Sequence, residues 1–205
     1  MFLWTACVAL LLFQTAPPLA QHSNEPVAIA PSEHMPQRRV FAKKDWDITQ
    51  TYADVFKILS TKNSCSDFYG GPHAATTVLN DLVEHVKPEP LFREISFQME
   101  GQLRFVRNTS ANVLYRLFDK ATVNTNGAFY QRRVNPMRNV PANVGSFVPG
   151  SRPARALILL HELGHLIEGK DGAWLIPDDG HDVEQSRANT LRIQEICRLQ
   201  LKALK

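Results

Sequence analysis

The stretch His161-Glu162-Leu163-Gly164-His165 constrains this chain more than any other. It lies inside an apolar run, with Ala156-Leu157-Ile158-Leu159-Leu160 before it and Leu166-Ile167 continuing it. The ends of the run read as helix boundaries: Ser151 can cap the start, Pro153 is tolerated in the first turn, and Gly169 stands where a helix usually stops in a left-handed residue. Leu157, Ile158, Leu159, Leu160, Leu163, Leu166 and Ile167 point round nearly the whole circumference. Such a helix belongs inside a domain rather than on its surface.

Two imidazoles and a carboxylate in a buried helix cost on the order of several kcal/mol unless each finds a partner. The histidines are four residues apart, so they leave the same face about one turn apart and can hold one ion between them. Glu162 sits about 100° round the helix from His161, close enough for its carboxylate to act on a water at the ion without ligating it. The pattern reads as a zinc site. The alternative is a chance match, with His161 and His165 as hydrogen-bonded core residues.

At the start of the chain, an apolar stretch from Phe2 to Phe13 precedes Thr15-Ala16-Pro17-Pro18-Leu19-Ala20. It is too short to span a bilayer and suits the core of a secretory signal, with Ala20 or Ala16 on the cleavage side, so residues 1–20 are expected to be removed on export to the periplasm or the exterior. No Lys or Arg precedes the run, which leaves a retained N-terminal anchor as the alternative. Residues 21–44 hold Pro26, Pro31 and Pro36 among polar residues and read as a disordered leader, since they cannot bury enough apolar surface to offset the entropy of ordering. The Arg38-Arg39 and Lys43-Lys44 cluster reads as a solvated tether. A net charge of only +3, with no aromatic residues interleaved with a wider basic face, argues against nucleic acid as a partner.

Residues 45–205 have the composition and length of one domain. The spacing predicts helices over Asp47–Leu59, Pro72–Val86 and Ala111–Ala121, and a last helix over Glu184–Leu204 with Leu191, Ile193, Ile196, Cys197, Leu201 and Leu204 inside. Ile95, Phe97 and Met99 alternate with polar residues, and Leu103 and Phe105 resume the alternation after Gly101, which predicts a half-buried hairpin. Asn126-Gly127 predicts a tight turn in a second hairpin or at an edge strand before the motif helix, with a Pro-containing loop over 135–150. Once Cys7 leaves with the signal, Cys65 and Cys197 remain and are expected to pair. That bond would close a loop of over about a hundred residues, worth about 4–5 kcal/mol in the chain-entropy model; the alternative is two buried thiols.

The buried motif helix, after a strand-rich segment in an exported chain, resembles the zincin superfamily of metallopeptidases over about five residues. Ile176-Pro177-Asp178-Asp179-Gly180, with Ser186, Asn189-Thr190 and Cys197 beyond it, also resembles a group of small exported bacterial zincin-like proteins to which no activity attaches. The first resemblance implies a zincin-like α+β fold: a small antiparallel or mixed sheet packed on the metal-binding helix, with a C-terminal helix. It implies zinc held by His161 and His165, Glu162 as general base, and a third ligand further along. Metzincin spacing puts that ligand at Asp171, gluzincin spacing near Glu184, and aspzincin spacing at Asp178 or Asp179. Asp179 is favoured, because an Asp before Gly in a short turn can bring its carboxylate back over the helix; Asp178, Glu184, His181 and Asp171 stay open. Tyr130, His181 and Arg155 are candidate oxyanion donors. The expected activity is hydrolysis of peptide or protein substrates by a monomer with no membrane span in the mature chain. The alternative is a zinc-stabilised, non-catalytic binding or assembly protein.

Overall fold

The computed structural model describes residues 27–28, 46–91, 95–132, 143–180 and 182–204. The expected signal peptide, most of the expected leader, residues 135–142 of the expected loop and His181 lie outside the described residues. The chain is α+β. In order come β1 (Val27–Ala28), α1 (Trp46–Leu59), α2 (Ser64–Phe68), α3 (Pro72–Glu84), β2 (Val86–Glu89), β3 (Phe97–Asn108), β4 (Val113–Asn124), α4 (Arg152–Leu166), α5 (Val183–Ile196) and α6 (Arg198–Lys202).

The motif helix α4 is the centre of the core. Ala156 through His161 and Leu163 through Leu166 are all buried, and the helix packs against α1, α3, α5, α6 and β4. Ser151 accepts a hydrogen bond from the Ala154 amide, and Pro153 lies in the first turn, as the sequence implies. Ion pairs from Arg152 to Asp54 and from Arg155 to Asp47 tie this end of α4 to α1. The C-terminus departs from expectation. Gly169 is not the stop; the helix ends at Leu166 because Ile167 turns extended (φ −96°, ψ 131°) and bridges antiparallel to Tyr115 of β4. A backbone hydrogen bond of the sheet replaces the usual left-handed glycine cap.

The sheet is mixed. Strand order is β1-β3-β4-β2, with β3 and β4 antiparallel and the outer strands parallel to their neighbours. The helix expected over Ala111–Ala121 is strand β4. Val113, Leu114, Leu117 and Phe118 satisfy helical spacing, but the segment pairs with β3 along its length and is buried or half-buried at nearly every position. A strand covered on both faces shows no alternation to read.

The hairpin expected around Gly101 is also relocated. Residues 97–108 form one strand whose register against β4 slips between Glu100 and Leu103, leaving Gly101 and Gln102 opposite Asp119. This is a β-bulge: Gly101 takes φ +94°, and Asp119 Oδ2 accepts from the Gln102 amide at 2.9 Å. The extra residue flips every later side chain to the opposite face. Phe97 therefore faces the core, whereas Leu103 and Phe105 are exposed.

The Asn126-Gly127 turn exists, with the Gly127 amide on the Asn124 carbonyl, but it closes β4 into a run of turns, and no second hairpin forms among the described residues. The last helix breaks at Cys197 into α5 and α6, and Leu191 is exposed rather than inside. Cys65 and Cys197 form a disulfide across a separation of 132 residues, joining α2 to the C-terminal end of α5. No helix among the described residues is long and apolar enough to cross a membrane.

Candidate metal centre

His161 and His165 project one turn apart from α4 and are 6% and 7% exposed. Their Nε2 atoms stand 3.0 Å from each other. Asp179 Oδ2 lies 3.0 Å from His161 Nε2 and 3.5 Å from His165 Nε2, so three ligand atoms of two chemical kinds share one point. Ligands about 2.0–2.1 Å from a tetrahedral ion are about 3.3 Å apart, and the three observed separations bracket that value. The donor set therefore fits a divalent ion that takes imidazole and carboxylate. Three ligands from the protein leave a position for water.

Asp179 reaches the helix because the chain doubles back after α4. Ile167 and Glu168 pair with Trp174 and Leu175 in a short reversal, with Gly172 at φ +78° in its turn. The returning strand then lies on the helix itself: the Ile176 amide bonds to the Gly164 carbonyl at 3.3 Å, and a Cβ on Gly164 would stand 3.0 Å from Ile176 Cδ1. A glycine inside a helix costs up to about 1 kcal/mol; in the last turn of α4 it gives room for the segment that carries the carboxylate. Asn189 of α5 donates to the Pro177 carbonyl at 2.9 Å, and Gly180 takes the left-handed φ (+46°) that completes the turn.

Other elements hold the rings. Thr190 of α5 contacts His161 Nδ1 at 3.0 Å, so His161 can turn its Nε2 lone pair to an ion while Nδ1–H donates to the hydroxyl. His165 Nδ1 is buried without a hydrogen-bond partner, with Asp178 Oδ1 3.8 Å away. Arg116, on β4, donates Nε–H to the His165 carbonyl at 2.8 Å and grips both oxygens of Asp178. Its guanidinium lies 4.3 Å over the Trp174 ring, which stacks on Phe105. The buried cation is thus paired and stacked on every side that matters.

Glu162 is half-buried beside the cluster. Burial raises its carboxyl pKa, His161 and His165 pull it back, and Asp179 adds to the rise; a carboxylate so placed is a stronger base than a solvated one. For His165, burial disfavours the charged ring, but the hydrogen bond to Asp179 and the charges of Glu162, Asp179 and Asp178 outweigh it and leave the pKa raised. Asp179 goes the other way: burial would raise it, but hydrogen bonds from both histidines hold it below the usual carboxylate range.

The other third-ligand candidates stand apart. Asp178 faces the Nδ1 edge of His165 and is engaged by Arg116. Asp171 caps the turn at the Ala173 amide, Glu184 is exposed in the first turn of α5, and His181 lies outside the described residues. Arg155 is engaged by Asp47 and the Gly150 carbonyl. Tyr130 belongs to the turns whose Ala128 carbonyl meets Gly150, at the start of α4 and about 15 Å along the helix from His161. Sequence reading missed Arg116, hidden in a strand taken for a helix, and gave Thr190 no role. Comparison with protein-family models, with characterised proteins and with solved structures gives no match.

Proposed function

We propose that this chain is an exported, zinc-dependent metallopeptidase with Glu162 as its general base. One observation carries the reading: His161 Nε2, His165 Nε2 and Asp179 Oδ2 converge beside the half-buried Glu162 carboxylate. That donor set suits zinc, with nitrogen and oxygen ligands and a place left for water. When bound, the ion supplies Lewis acidity, polarising a carbonyl and acidifying water. Glu162 takes the proton from the water as its oxygen attacks the peptide carbon, and passes that proton to the leaving amine as the C–N bond breaks. His161, His165 and Asp179 stay in place throughout, because a buried helix and a pinned return segment hold them. The disulfide supports the export reading, since such bonds persist in oxidising compartments.

Purified protein should carry about one equivalent of zinc. It should cleave an unstructured protein such as casein, lose that activity to a chelator and regain it with zinc. Glu162→Gln should keep the zinc and lower the rate by about 10²- to 10⁴-fold. Zinc-loaded protein inert across a broad peptide library, or Glu162→Gln as active as wild type, would replace the peptidase with a zinc-stabilised binding protein.

A further inference from the structure

The hydrogen-bonding of the two imidazoles is unequal. Thr190 backs His161 at Nδ1, while His165 Nδ1 is buried with no hydrogen-bond partner. The nearest acceptor is Asp178 Oδ1 at 3.8 Å, and Asp178 is held in an unusual way. Arg116 binds both of its oxygens and also the carbonyl of His165, so a run of contacts leads from the His165 backbone through Arg116 to Asp178 and stops 3.8 Å short of the His165 ring. The Asp178 side chain is 64% exposed against 9% for Arg116, so the carboxylate has open space on its solvent side in which to rotate on the Arg116 fork. A shift of about 1 Å brings it to hydrogen-bond distance.

We infer that Asp178, held by Arg116, is a positioning residue: it accepts a hydrogen bond from His165 Nδ1–H and so aims the His165 Nε2 lone pair at the point shared with His161 and Asp179. The inference rests on the metal reading above, but not on peptidase turnover. A ring held this way keeps one tautomer, leaving Nε2 unprotonated for the ion. The competing role is purely structural, with Asp178 serving only to neutralise the buried Arg116. That role predicts lost stability on mutation, with zinc affinity untouched.

Zinc affinity of the full chain, measured by chelator competition, and nitrogen-15 histidine NMR of the zinc-loaded protein separate the two. Asp178→Asn keeps the shape and removes the charge; it should bind zinc about 10- to 100-fold more weakly. Asp178→Ala should also lose the slowly exchanging His165 Nδ1–H resonance while the His161 resonance, backed by Thr190, persists. Asp178→Glu should recover part of the affinity. Arg116→Met should weaken zinc binding alone and combine less than additively with Asp178→Asn, because much of its effect runs through Asp178 and the rest through its own bond to the His165 carbonyl. If Asp178→Ala fails to fold, the Asp178→Asn and Asp178→Glu affinities decide. Affinities within about threefold of wild type overturn the inference, as does an unchanged His165 resonance. A wild-type protein that binds no zinc overturns both this inference and the metal reading. Weaker zinc binding by Asp178→Asn in a protein without peptidase activity upholds this inference and removes only the peptidase.

Discussion

The two halves of the candidate metal centre are built by different physics. His161, Glu162 and His165 stand on α4, whose position is set by apolar packing: Leu157, Leu160, Leu163 and Leu166 have no exposed surface. Asp179 stands on a return segment, residues 167–180, placed by directional contacts from three elements: Ile176 on Gly164, Pro177 on Asn189, and Asp178 on Arg116. Packing is collective, and losing part of it lowers the stability of the whole domain. A pin is local. Losing one should loosen the carboxylate and spare the fold, so damage to the two halves should be distinguishable in the tube.

The largest effect expected on the packed half is loss of the disulfide that secures α5, the helix behind His161. Replacing both Cys65 and Cys197 by Ala should cost about 2–5 kcal/mol in denaturant unfolding, given the length of the closed loop. Leu163→Ala should cost a similar 2–5 kcal/mol by leaving a cavity next to the motif, and zinc should bind to whatever fraction stays folded. A Leu163→Ala protein with wild-type stability would end the claim that α4 is the core.

The pinned half should answer the other way. Asp179→Asn should abolish tight zinc binding, yet cost the metal-free protein no more than the about 1.5–3 kcal/mol of a hydrogen bond to a charged group, measured by calorimetric titration and unfolding on one sample. Gly164→Ala sharpens the contrast. Its Cβ would press on Ile176 at 3.0 Å, which offsets the gain in helix propensity of about 1 kcal/mol. Stability should stay nearly level while zinc affinity falls.

The smallest effect expected is on pH dependence. In the metal-free protein the raised His165 pKa means that its contact with Asp179 contributes stability fully below the unfolded histidine value of about 6.5, lost as pH rises through the higher folded value. Asp179, held low, contributes above its unfolded value and loses this only as pH falls through its folded one, so it stays ionised across that window. Zinc needs the unprotonated nitrogen. The zinc-dependent rise in melting temperature should therefore be slight near about pH 6 and grow towards about pH 8; a pH-independent rise would contradict the proposed ligand set.

What the sequence determined on its own was whatever rests on residues near one another in the chain. The helical spacing of apolar residues located α1 and α3, end signals around an apolar run located α4, and the four-residue interval put both histidines on one face; the disulfide, though its cysteines lie 132 residues apart, followed from the even count left once the expected signal is removed. Where the pattern failed, a contact from afar had changed the rule. Strand β4 lost its alternation because the core covers one face and the return segment reaches the other at Arg116. The bulge at Gly101 moved Leu103 and Phe105 to the outer face without altering their spacing in the chain.

Only the tertiary structure decided which carboxylate meets the histidines and what stands behind them. Asp178 and Asp179 are adjacent and chemically identical in the sequence. They differ because Arg116, 49 residues before His165, takes one, while the packing of Ile176 on Gly164 delivers the other to the imidazoles. Thr190, 29 residues beyond His161, likewise owes its place to the packing of α5 on α4. No local periodicity encodes such pairings, since each is a choice between similar groups made by the fold as a whole.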